Sequence, residues 1–189
     1  MALFQFCFSL PPDMSSTTTF TVRPATLRDA KSIAELHNAT VREAFKALIA
    51  DTPIPAVPLE KRQAYWREAI EFSEPQVQVA LDEDDNMVGF VGYDRSRDKG
   101  TPNTMGEIWA IYANPEFWGK GVGLALWDAA REGLQEEGCT HVSVWVPIAN
   151  EQALRFHELA GFKREMSTAK TVAIGTVKVE EIRLKRALA

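Results

Sequence analysis

The sequence predicts an α/β fold (α+β in its segregated form), a mixed β-sheet with a layer of helix on each face. Three observations predict it. Alternating segments and segments of helical period follow one another as strand, two helices, three strands, helix, strand, helix and one or two closing strands. Two of the strand segments are separated only by the polar turn DEDDN, which marks a β-hairpin. A third, EIWAIYA, delivers the chain directly into a glycine loop and then a helical pattern.

Taken in order, Phe20 to Arg23 is a short strand ended by Pro24. Thr26 and Asp29 form a capping pair, and a helix pattern continues through Ile33, Leu36 and Val41. The stretch DTPIPAVP, Asp51 to Pro58, holds three prolines and is not regular helix. Helix resumes at Leu59 and runs to about Phe72, with Tyr65, Trp66, Ala69 and Ile70 on its apolar face. Val77–Leu81 and Met87–Tyr93 are the hairpin strands, residues 94–104 a charged loop, and Glu107–Ala113 the fourth strand. Val122, Leu126, Ala129, Ala130 and Leu134 recur at helical spacing, with Gly138 as the stop. His141–Val146 alternates as a strand, a short helix runs from Asn150 to Gly161, and two strands close the chain at Lys163–Ala173 and Thr176–Leu184.

A chain of 189 residues with 46% apolar content builds one domain around one core. A formal charge of −5 argues against a general nucleic-acid binder, which carries a basic excess. Cys7 and Cys139 give neither a disulfide framework nor a zinc pattern, so a reducing, cytoplasmic home is expected. The opening MALFQFCFSL is apolar but too short to span a bilayer, has no basic residue before it and no clean cleavage site after it. The expectation is that residues 1–13 are an appendage or a mis-assigned start, and that 14–189 form a single domain; a docked extra segment is the competing reading.

The loop PEFWGKGVGLALW, Pro115 to Trp127, carries the chemistry. A nucleotide P-loop needs GxxxxGK followed by Ser or Thr, and here Lys120 lies between glycines with no such hydroxyl behind it. A dinucleotide fingerprint needs GxGxxG after the first strand, whereas GxGxG here follows the fourth. What remains is a strand, a glycine loop and a helix N-terminus where backbone N–H groups converge, a cradle for a pyrophosphate. The plainer reading is a tight turn whose glycines supply positive φ.

Two segments together resemble the GNAT superfamily of N-acetyltransferases. WGKGVG, Trp118 to Gly123, resembles motif A, with Trp118 where the family usually has Arg or Gln. VPIANEQALRFHELAGFKRE, Val146 to Glu165, resembles motif B: Asn150, Ala153, Phe156, Gly161 and Phe162 match, and His157 stands where many members carry tyrosine. The resemblance covers nearly everything after Phe20, and the layout is most similar to the phosphinothricin-acetyltransferase-like branch. It implies a mostly antiparallel sheet of six to seven strands, helices on both faces, splayed between strands 4 and 5.

The resemblance also implies acetyl-CoA as co-substrate and no metal. Backbone N–H groups of Trp118, Gly119, Lys120, Gly121, Val122, Gly123 and Leu124 would hold the pyrophosphate, with charge from the Lys120 side chain as an addition, against a solvated lysine; Ile111, Tyr112 and Ala113 would line the pantetheine arm, and Asn150 and Phe156 would flank it. Glu107 is the candidate general base, against an ion pair at the sheet surface; His157 is the candidate acid for the departing thiolate, against a packing substitute. His37 lines the acceptor pocket or faces solvent, His141 is structural, and Trp66, Trp109, Trp127 and Trp145 are core or groove walls. The acceptor cleft would lie around His37–Trp66 and Thr168–Thr176; the first part carries Glu43, Asp51 and Glu60, which would favour a cationic amine, against solvated acids on an exposed loop. The expected reaction is acetyl transfer to a primary amine of a small molecule, amino-acid-like or cationic. Protein N-terminal or lysine acetylation and an acyl-CoA sensor without turnover are the alternatives. No nucleic-acid or membrane partner is expected, and a homodimer is compatible with the resemblance.

Overall fold

A computed structural model describes residues 19–48, 57–174 and 177–188. The segment 1–13, the stretch Asp51 to Ala56 and Thr176 lie outside the described residues. The elements are β1 (Thr21–Pro24), α1 (Ala30–Leu48), α2 (Leu59–Phe72), β2 (Gln76–Leu81), β3 (Met87–Arg95), β4 (Met105–Ala113), α3 (Val122–Glu136), β5 (His141–Pro147), α4 (Glu151–Leu159), β6 (Lys163–Arg164), β7 (Lys170–Ile174) and β8 (Val177–Ala187).

They build one eight-stranded sheet in the order β1-β2-β3-β4-β5-β8-β6, with β7 also on the outer edge of β8. Every pairing is antiparallel except β4 with β5. One strand expected over Lys163–Ala173 is divided into β6 and β7 by a 3₁₀ turn at Met166–Thr168. Thr168 causes the break: its hydroxyl donates to the Glu165 carbonyl at 2.7 Å and accepts from the Arg183 N–H at 3.1 Å, replacing ladder bonds with a side-chain turn.

The two faces carry separate cores. Ile33 and Ala34 of α1 and Trp66 and Ala69 of α2 pack on Val77, Val79, Leu81 and Phe90. On the other face Val122, Leu126, Ala130 and Leu134 recur on α3 at helical spacing against Val88, Val91, Ile108, Val142 and Val144. A register shift between Gly92 and Tyr93 skips Trp109 in the pairing of β3 with β4. The bulge reverses side-chain parity along β4. Ile108 and Ile111 therefore both face α3, while Ala110 and Tyr112 face α1 and α2.

The first strand is fastened to the first helix by charge. Asp29 takes a bidentate contact from Arg23, at 2.8 and 3.0 Å, and accepts from the Thr26 N–H at 2.7 Å. The Arg23 hydrogen bonds, opposed by burial and reinforced by Thr26, hold the Asp29 carboxyl down to about 2 from an ordinary 3.8. A carboxyl depressed in the folded state stabilises the fold fully above its unfolded pKa and loses that contribution as it is protonated. In urea unfolding, the stability gap between the native chain and Asp29→Asn is therefore expected to be full at pH 7 and to shrink as pH falls from about 4 toward 2; a gap independent of pH would contradict this tether.

Candidate active site

The site begins where two strands part. β4 and β5 pair only over Met105–Ile108 and His141–Val144. Up to Ile108 the strand is buried; from Trp109 to Ala113 it is half-buried, since β5 no longer covers its edge. The Asn114 N–H donates to the Val88 carbonyl at 2.8 Å, which fixes the phase of the β3–β4 ladder. Peptide groups alternate sides along a strand, so those of Ala110 and Tyr112 point to β3 and those of Ile111 and Ala113 point into the gap. Tyr112, expected beside them, is turned away twice: its peptide bonds across to β3 and its side chain packs toward α1 and α2.

At the head of the gap stands the glycine loop. Gly119 and Gly121 take φ of +76° and +97°, the left-handed region that an L side chain resists. The first bond of the helical ladder is Ala125 N–H to Gly121 carbonyl, so the N–H groups of Val122, Gly123 and Leu124 have no acceptor within the helix. Two of the expected seven are engaged inside the loop: Trp118 N–H bonds the Pro115 carbonyl and Lys120 N–H the Phe117 carbonyl, both at 3.2 Å. The cradle therefore narrows to Gly119 and Gly121 through Leu124. Trp118 closes the loop onto the strand, its indole N–H reaching the Ala113 carbonyl at 2.9 Å. Lys120 is exposed, its Nζ 5.0 Å from the Phe117 ring centroid.

α4 forms the opposite wall. Asn150 caps it, its Oδ1 accepting from the Ala153 N–H at 3.0 Å. A Cβ on Gly123 would stand 3.0 Å from Cε2 of Phe156, so the absent side chain is what lets Phe156 close against the start of α3. His157, one residue on, is buried and donates from Nδ1 to the Ala153 carbonyl at 2.8 Å, between the rings of Phe156 and Phe162. Burial lowers its pKa against the opposing pull of the Ala153 carbonyl. That shift favours the neutral ring, in keeping with the packing reading.

Glu107 lies in the paired half of β4, between Asp94 of β3 and Ser143 of β5, with its side chain 2% exposed. Both carboxylate oxygens are engaged: Oε1 by Nε and Nη2 of Arg97, Oε2 by the Arg97 N–H at 2.9 Å and the Ser96 hydroxyl at 3.5 Å. A carboxylate offers about four acceptor positions, and here all are directed at donors. Arg97 in turn lies 4.1 Å above the Trp109 ring.

Residues on the face away from α3 complete the surroundings. Trp145, the first residue of β5 beyond the paired stretch, donates its indole N–H to Asp98 at 3.2 Å and lies under Lys170, 3.4 Å from its ring centroid. Arg183, opposite Trp145 on β8, bridges Asp98 at 2.8 Å and Glu165 at 2.6 Å. The sequence reading missed Arg97, Asp98 and Arg183, because a charged loop and a half-buried charged strand position carry no periodic signal. Of the histidines, His37 is packed against Trp66, Phe90 and Tyr112 on the α1–α2 side. His141 starts β5 at the surface beside Thr140.

Comparison with known proteins agrees with this geometry. The acetyltransferase (GNAT) family pattern matches residues 41–162. A mycothiol acetyltransferase of Propionibacterium freudenreichii is 38% identical over 84 residues, 44% of this chain and 26% of that protein. The chain thus spans about a quarter of that relative's length. The uncharacterized N-acetyltransferase YuaI of Bacillus subtilis is 28% identical over 166 residues, covering 87% of this chain and 91% of the relative. Among solved structures, an N-acetyltransferase from Staphylococcus aureus superposes with a TM-score of 0.71 at 17% identity, over 91% of this chain and all of that one. A phosphinothricin acetyltransferase from Sinorhizobium meliloti, solved in complex with acetyl-CoA, gives 0.69 at 21% identity, over 90% of this chain and 89% of that one.

The buried carboxylate of Glu107 sets an expectation for stability. Glu107→Gln keeps the shape but removes the charge that holds Arg97, and should lower unfolding free energy by about 1–3 kcal/mol, read by chemical denaturation. An unchanged midpoint would mean that the pair contributes nothing to the fold.

Proposed function

The chain belongs to the GNAT acetyltransferase family, and from that premise we propose that it transfers the acetyl group of acetyl-CoA to the primary amine of a small molecule within a ternary complex. One observation carries the reading: β4 and β5 separate after Ile108 and Val144, and the amide-rich start of α3 stands at the open end of the gap.

The residues present fit acetyl-CoA. The free N–H groups of Gly121 to Leu124, at the positive end of α3, suit a diphosphate. The peptide groups of Ile111 and Ala113 suit the amides of a pantetheine arm lying along β4, where β5 would otherwise pair. Phe156 and the α4 start at Asn150 form the second wall. Bound acetyl-CoA would supply an activated thioester: as the amine nitrogen bonds to its carbonyl carbon and the carbon–sulfur bond breaks, the acceptor's ammonium would give up two protons to water, one before attack and one as the amide forms, and the thiolate would take one proton from water.

The chain's contribution is mainly positioning and exclusion of the sheet partner. Glu107, with both oxygens engaged, fixes Arg97 and Trp109 beside the gap; service as a base would require that pair to open. His157 supports Phe156 rather than supplying a proton.

The direct test is a screen of primary amines with acetyl-CoA, read by thiol release. Release above the amine-free rate is expected; none with any amine, alongside tight coenzyme binding, would leave the sensor reading instead. Gly121→Ala should weaken coenzyme A binding by about tenfold or more, measured by calorimetry. Gly138→Ala, at a similar φ of +77° beyond α3, should leave binding unchanged. Equal losses in both would remove the loop from the binding site. His157→Phe should keep the turnover number within about twofold of the native value, since removing a true general acid costs about 10²–10⁴.

A further inference from the structure

Where β4 and β5 part, one indole from each strand is tied to the same short piece of chain. Ile108 and Val144 are the last pair of the ladder between them, and the next residues are Trp109 and Trp145. Beyond this point β4 keeps its bonds to β3 and β5 its bonds to β8, so the two banks no longer share a backbone ladder. The residues Arg95 to Asp98, at and just past the end of β3, take over the connection on the face away from α3. The Arg95 carbonyl accepts the Trp109 indole N–H at 3.4 Å, and the Ser96 N–H donates to the Met105 carbonyl at 2.9 Å. The Arg97 N–H donates to Glu107 Oε2 at 2.9 Å, and its guanidinium lies 4.1 Å from the Trp109 ring centroid. Asp98 then crosses to the other bank. Both its carboxylate oxygens lie 3.2 Å from the Trp145 indole nitrogen, and Oδ2 also accepts from Nη1 of Arg183 on β8 at 2.8 Å.

These bonds decide what the two rings can offer. An indole has one polar group, its N–H, and here both are spent on the loop. Each ring also carries a cation of the chain itself, Arg97 on Trp109 and Lys170 on Trp145. Both tryptophans are half-buried, so what remains at the head of the gap is aromatic carbon held in a fixed place. On the α3 side the same point is closed by Ile108, Val144 and Val146, all buried. Straight ahead the β4–β5 ladder resumes. An apolar group arriving along β4 therefore meets a blind end, with a wall that recedes only if the indoles do.

We infer that Trp109 and Trp145, held by Arg95 to Asp98, form the end wall of the donor slot and set the length of acyl group that it accepts. Asp98 fixes the position of that wall, acting through Trp145 as a positioning residue. The inference rests on the donor half of the reading above and adds a size limit to it. A diphosphate on the start of α3 and an arm along Ile111 and Ala113 bring the thioester to the point where the strands part, which is where the wall stands. Recognition there is by exclusion. An acetyl group ends short of the rings, and each added methylene has to displace carbon that is tied on both banks.

The test is one of binding and needs no acceptor amine. Coenzyme A and its acetyl, butyryl and hexanoyl thioesters are titrated by calorimetry into the native chain, Asp98→Ala, Asp98→Asn and Trp145→Phe. The native chain should hold hexanoyl-CoA about tenfold or more weaker than acetyl-CoA, with butyryl-CoA between. Asp98→Ala should shrink that ratio to about threefold or less and leave the affinity for coenzyme A itself unchanged. Asp98→Asn keeps an oxygen for the Trp145 N–H and should recover most of the native ratio. Trp145→Phe removes the N–H but keeps aromatic carbon, and should relax the ratio as Asp98→Ala does; it decides the matter if Asp98→Ala loses the native melting temperature. A native chain that binds the three thioesters equally, or a ratio unchanged in both Asp98→Ala and Trp145→Phe, would overturn the wall while coenzyme binding stands. Equal weakening of coenzyme A and every thioester would reduce Asp98 to support of the fold and overturn the inference likewise. No binding of coenzyme A to the native chain would remove the donor reading and the wall together.

Discussion

Backbone hydrogen bonding between β4 and β5 is the constraint from which the rest of the molecule follows. Four residue pairs bond and then the strands separate, although both continue. Peptide groups in a sheet interior need partners, and those of Ile111 and Ala113 have lost β5 as the source. One of the four groups so exposed, the Ala113 carbonyl, is taken by the Trp118 indole. The others face a slot whose second wall is α4 and whose end is a helix start with free amides. A ligand that runs along the strand as an extended chain of amides and ends in a diphosphate satisfies both needs at once.

Two sequence segments far apart act as one mechanical unit because of a missing methyl group. Gly123 belongs to the loop and Phe156 to α4, and the ring closes to where a Cβ would stand. A side chain at position 123 would require the Phe156 ring to give way by a few tenths of an ångström. His157 belongs to the same support: neutral, buried and bonded back to Ala153, it fixes the turn of helix that presents Phe156.

Legibility in the sequence followed the strength of local patterning. α2 was read at Leu59 to Phe72 and found there, because Trp66 and Ala69 are spaced for one buried face. The glycine loop was legible because its residues work through backbone geometry, which glycine advertises. What could not be read were the side-chain partners supplied by tertiary structure. Arg97 reaches Glu107 only because the β3–β4 loop folds back over the sheet, so the balance between base and ion pair could not be settled from Glu107 alone. The direction of Tyr112 depends on the bulge at Trp109, and no residue type marks that bulge. The division of β6 from β7 depends on Thr168 finding the N–H of Arg183, fifteen residues on.

The glycine loop and the face of the sheet away from α3 are held by different interactions, and this accounts for Trp118. Where the family usually has Arg or Gln, an indole that bonds the end of β4 stands instead. The substitution is tolerable if the loop grips its ligand with peptide N–H groups, since Trp118 then has only to fix the loop against the strand, and a rigid ring with one donor does so at little conformational cost. The face of the sheet away from α3 is organised instead by side-chain charge, with Glu107 paired to Arg97 and both Asp98 and Glu165 to Arg183. The two arrangements are independent because β4 lies between them and each of its residues commits its peptide to one edge and its side chain to one face.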